Sequence, residues 1–378
     1  KDIAQSQLYP KLNLFATAEH TSVPTGLLPL PPNDLFDLIP HQEIPQPFSE
    51  NIRRVGVGLS MPVFVKPIYT TIKKLKTLQQ SAQAKNRLTH LQNQAIIVGA
   101  NANLQFLDSL IVALQAKKES LDKTKQLIEL KVKNGRAQGS ALLIINSNIN
   151  QVETGINDLK IKKQQAIATI AALTDIHLKQ AVKLSEKSTV QQNNLFALKP
   201  LEKKLKADEL SIKVEKQKLL PAVFLSGKYN HANANAYNNG LDIDSNFSSI
   251  ALTLNVPLFN KPQYAAIAKS KIEYEKTQRT YEKTKLQLEV QAGQLTENLK
   301  LLKASVALYS KNVENKLEIL KIAKASYNAD RITIEDYLKY EDDVVLEKSN
   351  YYKKQAEKWQ TLMQLAVIFG NNIEDIVQ

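Results

Sequence analysis

The chain has no cysteine, only 11 glycines among 378 residues, and few aromatic residues, 6% of the total. Without thiols it has no disulfide staples, no thiolate metal ligands and no thiol nucleophile. No stretch approaches eighteen uninterrupted apolar residues, so a membrane-crossing helix is not expected. A transmembrane barrel stays open, because its strands are short and alternate. The chain also lacks a phosphate-binding glycine loop, a dinucleotide fingerprint, an HExxH helix and a GxSxG elbow. Its five histidines, His20, His41, His90, His177 and His231, show no ligand spacing. These absences predict a protein that is not an enzyme and carries no metal and no cofactor.

Positive charge is in excess, with 50 Lys and Arg against 37 Asp and Glu, a formal net charge of +13. The basic residues are spread along helical stretches and mixed with glutamate, unlike the footprint of a nucleic-acid binder. No nucleic-acid partner is expected.

What the chain does contain is a duplication. Residues 55–175 lie over 250–370 at a constant offset of about 195, with no gap. Each copy opens on an alternating stretch ending in proline and an aromatic, Met61-Pro62-Val63-Phe64 in one and Val256-Pro257-Leu258-Phe259 in the other. Upstream, Leu8-Tyr9-Pro10 corresponds to Leu219-Leu220-Pro221. The first copy carries about 16 extra residues between its strands, within a Pro-rich stretch from Thr25 to Phe48. The expected organisation is one composite body with structural repeats at 1–195 and 196–378.

Strands are expected near 12–20, 53–61, 222–230 and 249–256. Val55, Val57, Leu59 and Met61 alternate with Gly56, Gly58 and Ser60, and Ile250, Leu252, Leu254 and Val256 with Ala251, Thr253 and Asn255. An apolar face backed by a small or polar one suits a wall between lipid and water, with two soluble hairpins packed on helices as the alternative. About nine residues per strand match the ~9–11 needed to cross a bilayer at a tilt. Four strands do not close a barrel, so a membrane reading demands strands from further copies. Three- and four-residue apolar spacing predicts helices over about 66–134, 140–185, 198–219, 261–329 and 334–369. A 65-residue helix is about 100 Å long at ~1.5 Å per residue, too long for a globule. Residues 1–7 read as the tail of a helix already running.

Some residues stand out. Asn134-Gly135-Arg136 and Ala329-Asp330-Arg331 are turns ending long helices, and Arg136 and Arg331 are candidate docking contacts at the tips. Helix-end solubility is the plainer account. Glu335 and Asp336, then Glu341, Asp342 and Asp343, come after the second turn, where a helix dipole favours acids. Repeated by symmetry they would form carboxylate rings that favour cations, with Tyr337 and Tyr340 narrowing the same constriction. Asp242 and Asp244, with Asn235, Asn238 and Asn239, resemble a loose cation site but also an ordinary Asx-rich hairpin loop.

These junctions and turns, in their duplicated order, resemble the outer membrane factor family, the TolC-like outer membrane efflux proteins. Pro10 and Pro221 match its helix-to-strand junctions, and Pro62 and Pro257 its strand-to-helix junctions. Tyr327 through Leu338 resembles its Tyr-x-x-Gly turn and Leu-bearing helix, and Leu365 through Gly370 its closing Leu-x-x-x-x-Gly. The resemblance implies a mixed α/β membrane protein: a homotrimer with a twelve-stranded barrel, four strands per protomer, in the outer membrane lipid of a Gram-negative bacterium, continued by a helical barrel in the periplasm. It implies a passive efflux duct that meets a periplasmic adaptor coupled to an inner-membrane efflux transporter. Gly135, Arg136, Asp330 and Arg331 would be adaptor-facing tips, and Asp336 the acidic gate residue, flanked by Glu335, Tyr337 and Tyr340. The family's second acidic gate position falls on Lys339. Type I protein secretion by the same scaffold, and a soluble helical scaffold, remain as alternatives.

Overall fold

The computed structural model describes residues 2–27 and 43–378. A short helix α1 (Asp2–Ser6) precedes strands β1 (Lys11–Gly26) and β2 (Phe48–Phe64), then helices α2 (Lys66–Lys133) and α3 (Gly139–Thr174). Helix α4 (Lys199–Gln217) leads into β3 (Ala222–Asn235), β4 (Asp242–Asn255), α5 (Lys261–Asn328) and α6 (Ile334–Phe369). The helices α2 and α5 are both 68 residues long, and α3 and α6 are both 36. Each of α2, α4 and α5 opens on Lys-Pro. Proline in a first turn has φ preset for the helix and lacks only an N–H that would go unbonded there.

The chain divides into two compact units, Lys1–Ser81 with Leu201–Tyr281, and Ala82–Pro200 with Glu282–Gln378. The first unit holds one antiparallel sheet in the order β1-β2-β3-β4, so β1 and β4 are its edges. Its register sets Leu14 opposite Val57 and Val57 opposite Tyr229, Leu12 opposite Leu59, and Leu225 opposite Leu252. Since directly paired residues share a face, these side chains form one apolar surface. It is bare: Leu14 is 79% exposed, Leu252 69% and Ile250 85%. The opposite face carries Ser60, Ser226 and Ala251 in one row and Asn13, Gly58, Lys228 and Ser249 in the next. Beyond Val55 the faces exchange character. Ile52, Ala232 and Ala234 are buried on that second face under Leu27, while the first presents Arg53, Asn233 and Asp244.

The strands run further than the alternation predicts. Their outer ends, 21–26, 48–52, 231–235 and 242–248, are polar and rich in Asn and Ser, so periodicity gave no signal there. Asp242 and Asp244 belong to β4 rather than to a loop. Asn235 donates to Asp242 and to the Gly240 carbonyl, Asn238 to the Ile44 carbonyl and Asn239 to the Glu43 carbonyl. Those side chains are spent on the hairpin, and no metal-type cluster occurs among the described residues. The extra residues of the Pro-rich insertion, 28–42 with His41, lie outside the described residues.

One junction differs from expectation. Pro62 sits inside β2, at a register shift between Pro62 and Phe64, instead of ending the strand. A proline donates no ladder hydrogen bond, and a bulge accommodates that loss. Pro10, Pro221 and Pro257 lie just outside strands.

The second unit is helical. Leu104, Leu107, Leu121 and Ile128 of α2 pack on Ile145, Ile149, Val152 and Ile156 of α3. Farther along α2, Leu91 and Ala102 meet Trp359, Leu362, Met363 and Ala366 of α6. One 18-residue window of α2 reaches a mean hydropathy of 1.5, enough by composition to cross a membrane, although polar residues interrupt its apolar run. The same helix supplies both of these cores. Helix α3 stops at Thr174, earlier than the expected 185, because Asp175 takes a left-handed conformation and donates its N–H to the Ala171 carbonyl at 2.8 Å. Residues beyond it run extended. Asn101 holds Val182 through both its amide groups, Asp108 accepts from the Ala181 N–H, and Ser185 exchanges two backbone hydrogen bonds with Gln378.

Candidate functional site

The helix turns singled out in the sequence lie together in the second unit. Helix α2 ends with the Gly135 N–H donating to the Val132 carbonyl at 3.0 Å and the Arg136 N–H to the Lys131 carbonyl at 2.8 Å. Helix α5 ends with the Asp330 N–H donating to Tyr327 at 3.0 Å and the Arg331 N–H to Ser326 at 2.9 Å. Each is the two-bond Schellman stop, which needs a left-handed residue. Gly135 supplies it at φ 67° and Asp330 at φ 56°. Aspartate is among the few non-glycine types enriched in that region. Arg136 and Arg331 are exposed, and neither has a carboxylate partner among the described residues. Lys131 ties the two turns together: its ammonium pairs with Asp330 and lies 5.4 Å from the centre of the Tyr327 ring.

Helix α6 begins at a side-chain cap. Thr333 Oγ1 accepts from the Asp336 N–H at 3.1 Å and donates to Asp336 Oδ2 at 2.9 Å. Lys339 approaches the other carboxylate oxygen at 3.4 Å. The Thr333 hydroxyl first, and Lys339 second, hold the Asp336 carboxyl below its ordinary pKa. Glu335 is exposed beside it.

Tyr337 stands differently from the expectation of a lining residue. It is 1% exposed, stacked on Tyr327 with centroids 5.2 Å apart and planes 17° apart. Its hydroxyl donates to Glu341 Oε1, which also accepts from Ser120 of α2 at 2.6 Å. Burial, then the Glu341 hydrogen bond, pushes the phenol well above its usual pKa. A ring enclosed this way narrows nothing outside its own protomer; it is a packing residue. Tyr340 is half-buried against the same Tyr327–Tyr337 cluster.

The later acids are also engaged. Glu341 is 4% exposed and its Oε2 has no hydrogen-bond partner. Asp342 pairs with Lys117 of α2, and Asp343 with Lys316 of α5 at 2.6 Å. A cavity of about 320 Å³ beside Glu341 is walled by Ala113, Leu317, Leu320 and Val344 and edged by Lys321, Lys324 and Lys348. Sequence reasoning missed the Ser120–Tyr337–Glu341 network, because Ser120 lies more than 200 residues away from its partners. The i,i+4 pairing of Tyr337 with Glu341 next to apolar Leu338 and Val344 was the available signal.

A sheet with one bare apolar face and open edges, joined to paired helices of duplicated length, defines a barrel-contributing membrane protein rather than a soluble scaffold. Residues 188–371, just under half of the chain, match the family model described as outer membrane efflux protein. Its fold is similar to solved outer membrane channels. The outer membrane protein VceC of Vibrio cholerae superposes with TM-score 0.75 at 15% identity, over 98% of this chain and 89% of its own. The CmeC outer membrane channel of Campylobacter jejuni gives 0.77 at 15%, over 98% and 79%. The MtrE outer membrane channel of Neisseria gonorrhoeae, in its open state, gives 0.75 at 14%, over 98% and 82%. No curated protein matches the chain in sequence. The family-model match together with the channel fold places this chain among outer membrane channel proteins rather than enzymes.

Proposed function

We propose that the protein is one protomer of a homotrimeric exit duct for small molecules, working in a tripartite efflux system with a periplasmic adaptor and an inner-membrane transporter. Drugs, toxic compounds and metal ions are the intended cargo class. The observation that carries this reading is the sheet: an exposed apolar face, a small and polar opposite face, and two edge strands whose outer sides have no strand partner among the described residues. In hydrocarbon each unpaired backbone group costs several kcal/mol, so only a closed barrel is tolerable. Four strands from each of three copies close a twelve-stranded one.

In this reading the repeats 1–195 and 196–378 each contribute two strands and a helix pair. The sequence carries no nucleotide-binding loop, so flow through the duct is passive and energy comes from the transporter. Gly135, Arg136, Asp330 and Arg331 are the adaptor-docking tips; their exposed, unpaired guanidinium groups support that role. Glu335, Asp336, Lys339 and Tyr340 border the gate. Opening requires α6 to shift against α2 and α5, and the Lys117–Asp342 and Lys316–Asp343 pairs oppose it.

Reconstitution into a planar lipid bilayer tests the proposal. Discrete conductance steps are expected, and Asp336→Ala, which frees Lys339 and removes the carboxylate that accepts from the Thr333 hydroxyl, is expected to raise the closed-state leak. Protein shown to be inserted but never conducting would overturn the duct, and an unchanged leak would remove Asp336 from the gate.

A further inference from the structure

We infer that Lys228 gives the lumen of this duct a preference for anionic solutes. The inference rests on the duct reading above, in which the polar face of the sheet looks inward. By alternation from the observed register, that face carries the charged residues Lys11, Glu19, Glu50, Arg54 and Lys228.

Arg54 and Glu19 neutralise one another through an ion pair at 2.5 Å. Glu50 lies eight strand residues from Gly58, the partner of Lys228. At ~3.3 Å per residue that is about 26 Å, beyond a Debye length of about 8 Å in physiological salt. Glu19 lines the same recess as Lys228 but is paired with Arg54, so among the described residues Lys228 has no unpaired carboxylate within effective range, and its nearest charged row, that of Lys11, adds charge of the same sign.

The ammonium is also positioned. Gly58 faces Lys228 directly and Gly56 faces Phe15, so no β2 side chain separates the lysine from the aromatic ring two strands away. At Gly56 the backbones crowd, and an added Cβ would lie 2.3 Å from the Tyr229 carbonyl oxygen. Through this gap Lys228 Nζ lies 4.9 Å from the Phe15 ring centre. A ring face attracts a cation without neutralising it. Each copy in a closed barrel brings its own Lys228 to the same level, forming a basic ring of the kind that selects anions. At the helix turns Asp336, Asp342 and Asp343 are each paired with a lysine, which leaves Glu335 as the exposed carboxylate that opposes this preference.

Reversal potentials in a KCl gradient, recorded on the reconstituted protein, provide the test. Wild type is expected to favour chloride over potassium, and Lys228→Glu to shift the permeability ratio several-fold toward potassium. Because the sequence has no cysteine, Lys228→Cys offers a single thiol in a fold left otherwise intact. Labelling it with a cationic methanethiosulfonate reagent should keep the chloride preference, and an anionic reagent should reverse it. A wild type that favours potassium, or one ratio shared by every variant and label, would overturn the inference while leaving the duct standing. An inserted protein that never conducts would overturn both.

Discussion

The turn at Gly135 and the turn at Asp330 close with the same pair of backbone hydrogen bonds, yet the helices they lead into are chemically unlike. Helix α3 starts at Gln138 with no side-chain cap and buries an aliphatic face of Ile145, Ile149, Val152 and Ile156. Helix α6 starts at a Thr333 cap and buries Tyr337 and Glu341 beside Leu338 and Val344. The repeat thus shares backbone geometry, while the buried Ser120–Tyr337–Glu341 network involves the helix of one copy only. The α2–α3 contact is aliphatic at its centre, with the Lys163–Asp108 and Lys118–Glu153 ion pairs beside it. A buried phenol–carboxylate–hydroxyl network has definite made and broken states, which suits the second hairpin to movement and the first to support.

The largest break in this comparison is expected from Tyr337→Ala. Removing a fully buried aromatic costs about 3–5 kcal/mol, and thermal melts followed by helical circular dichroism should show a large drop. Leu142→Ala, at the corresponding but half-buried position of the first copy, should cost less. Equal losses would mean that the second turn is not built around its ring. Gly135→Ala comes next, since forcing an alanine into left-handed backbone costs about 1–2 kcal/mol. Asp330→Gly should move stability by less than about 1 kcal/mol, because backbone relief offsets the loss of an exposed pair with Lys131. The same melts decide between these values.

Swapping caps sharpens the contrast further. Thr333→Ala should lose about 1 kcal/mol, whereas Gln138→Thr should gain a part of that by giving α3 the cap it lacks. The smallest effect belongs to Asp336. Its folded-state pKa lies below the ordinary value, so its stabilising contribution is present above the unfolded pKa of about 3.9 and is lost as pH falls through the lower folded value. Melting temperature against pH should therefore fall less steeply on the acid side, below about pH 4, in Asp336→Asn than in wild type. Superimposable acid limbs would contradict the Thr333 and Lys339 contacts.

Much of this fold was legible because its signals are local. Alternation marked the lower parts of all four strands, apolar spacing marked the long helices, and Gly135 with Asp330 marked their ends to within a residue. What escaped depends on contacts distant in sequence. The polar strand ends are held by neighbouring strands, and residues after Asp175 by Asn101, Asp108 and Gln378. The acidic run after Thr333 read as carboxylate rings favoured by the helix dipole. Its lysine partners come from its own next turn at Lys339, from α2 at Lys117 and from α5 at Lys316, and only the last two needed the fold to find. Lys228 drew no notice as one lysine among many; register alone brings it to Phe15.

Completion of the sheet by other copies of the chain is the claim on which the duct, its gate and its ion preference all depend. Detergent-corrected molecular mass of the extracted protein tests it most directly. The account predicts a stable trimer that needs detergent to remain in solution, and a monodisperse single chain in detergent-free buffer would contradict it.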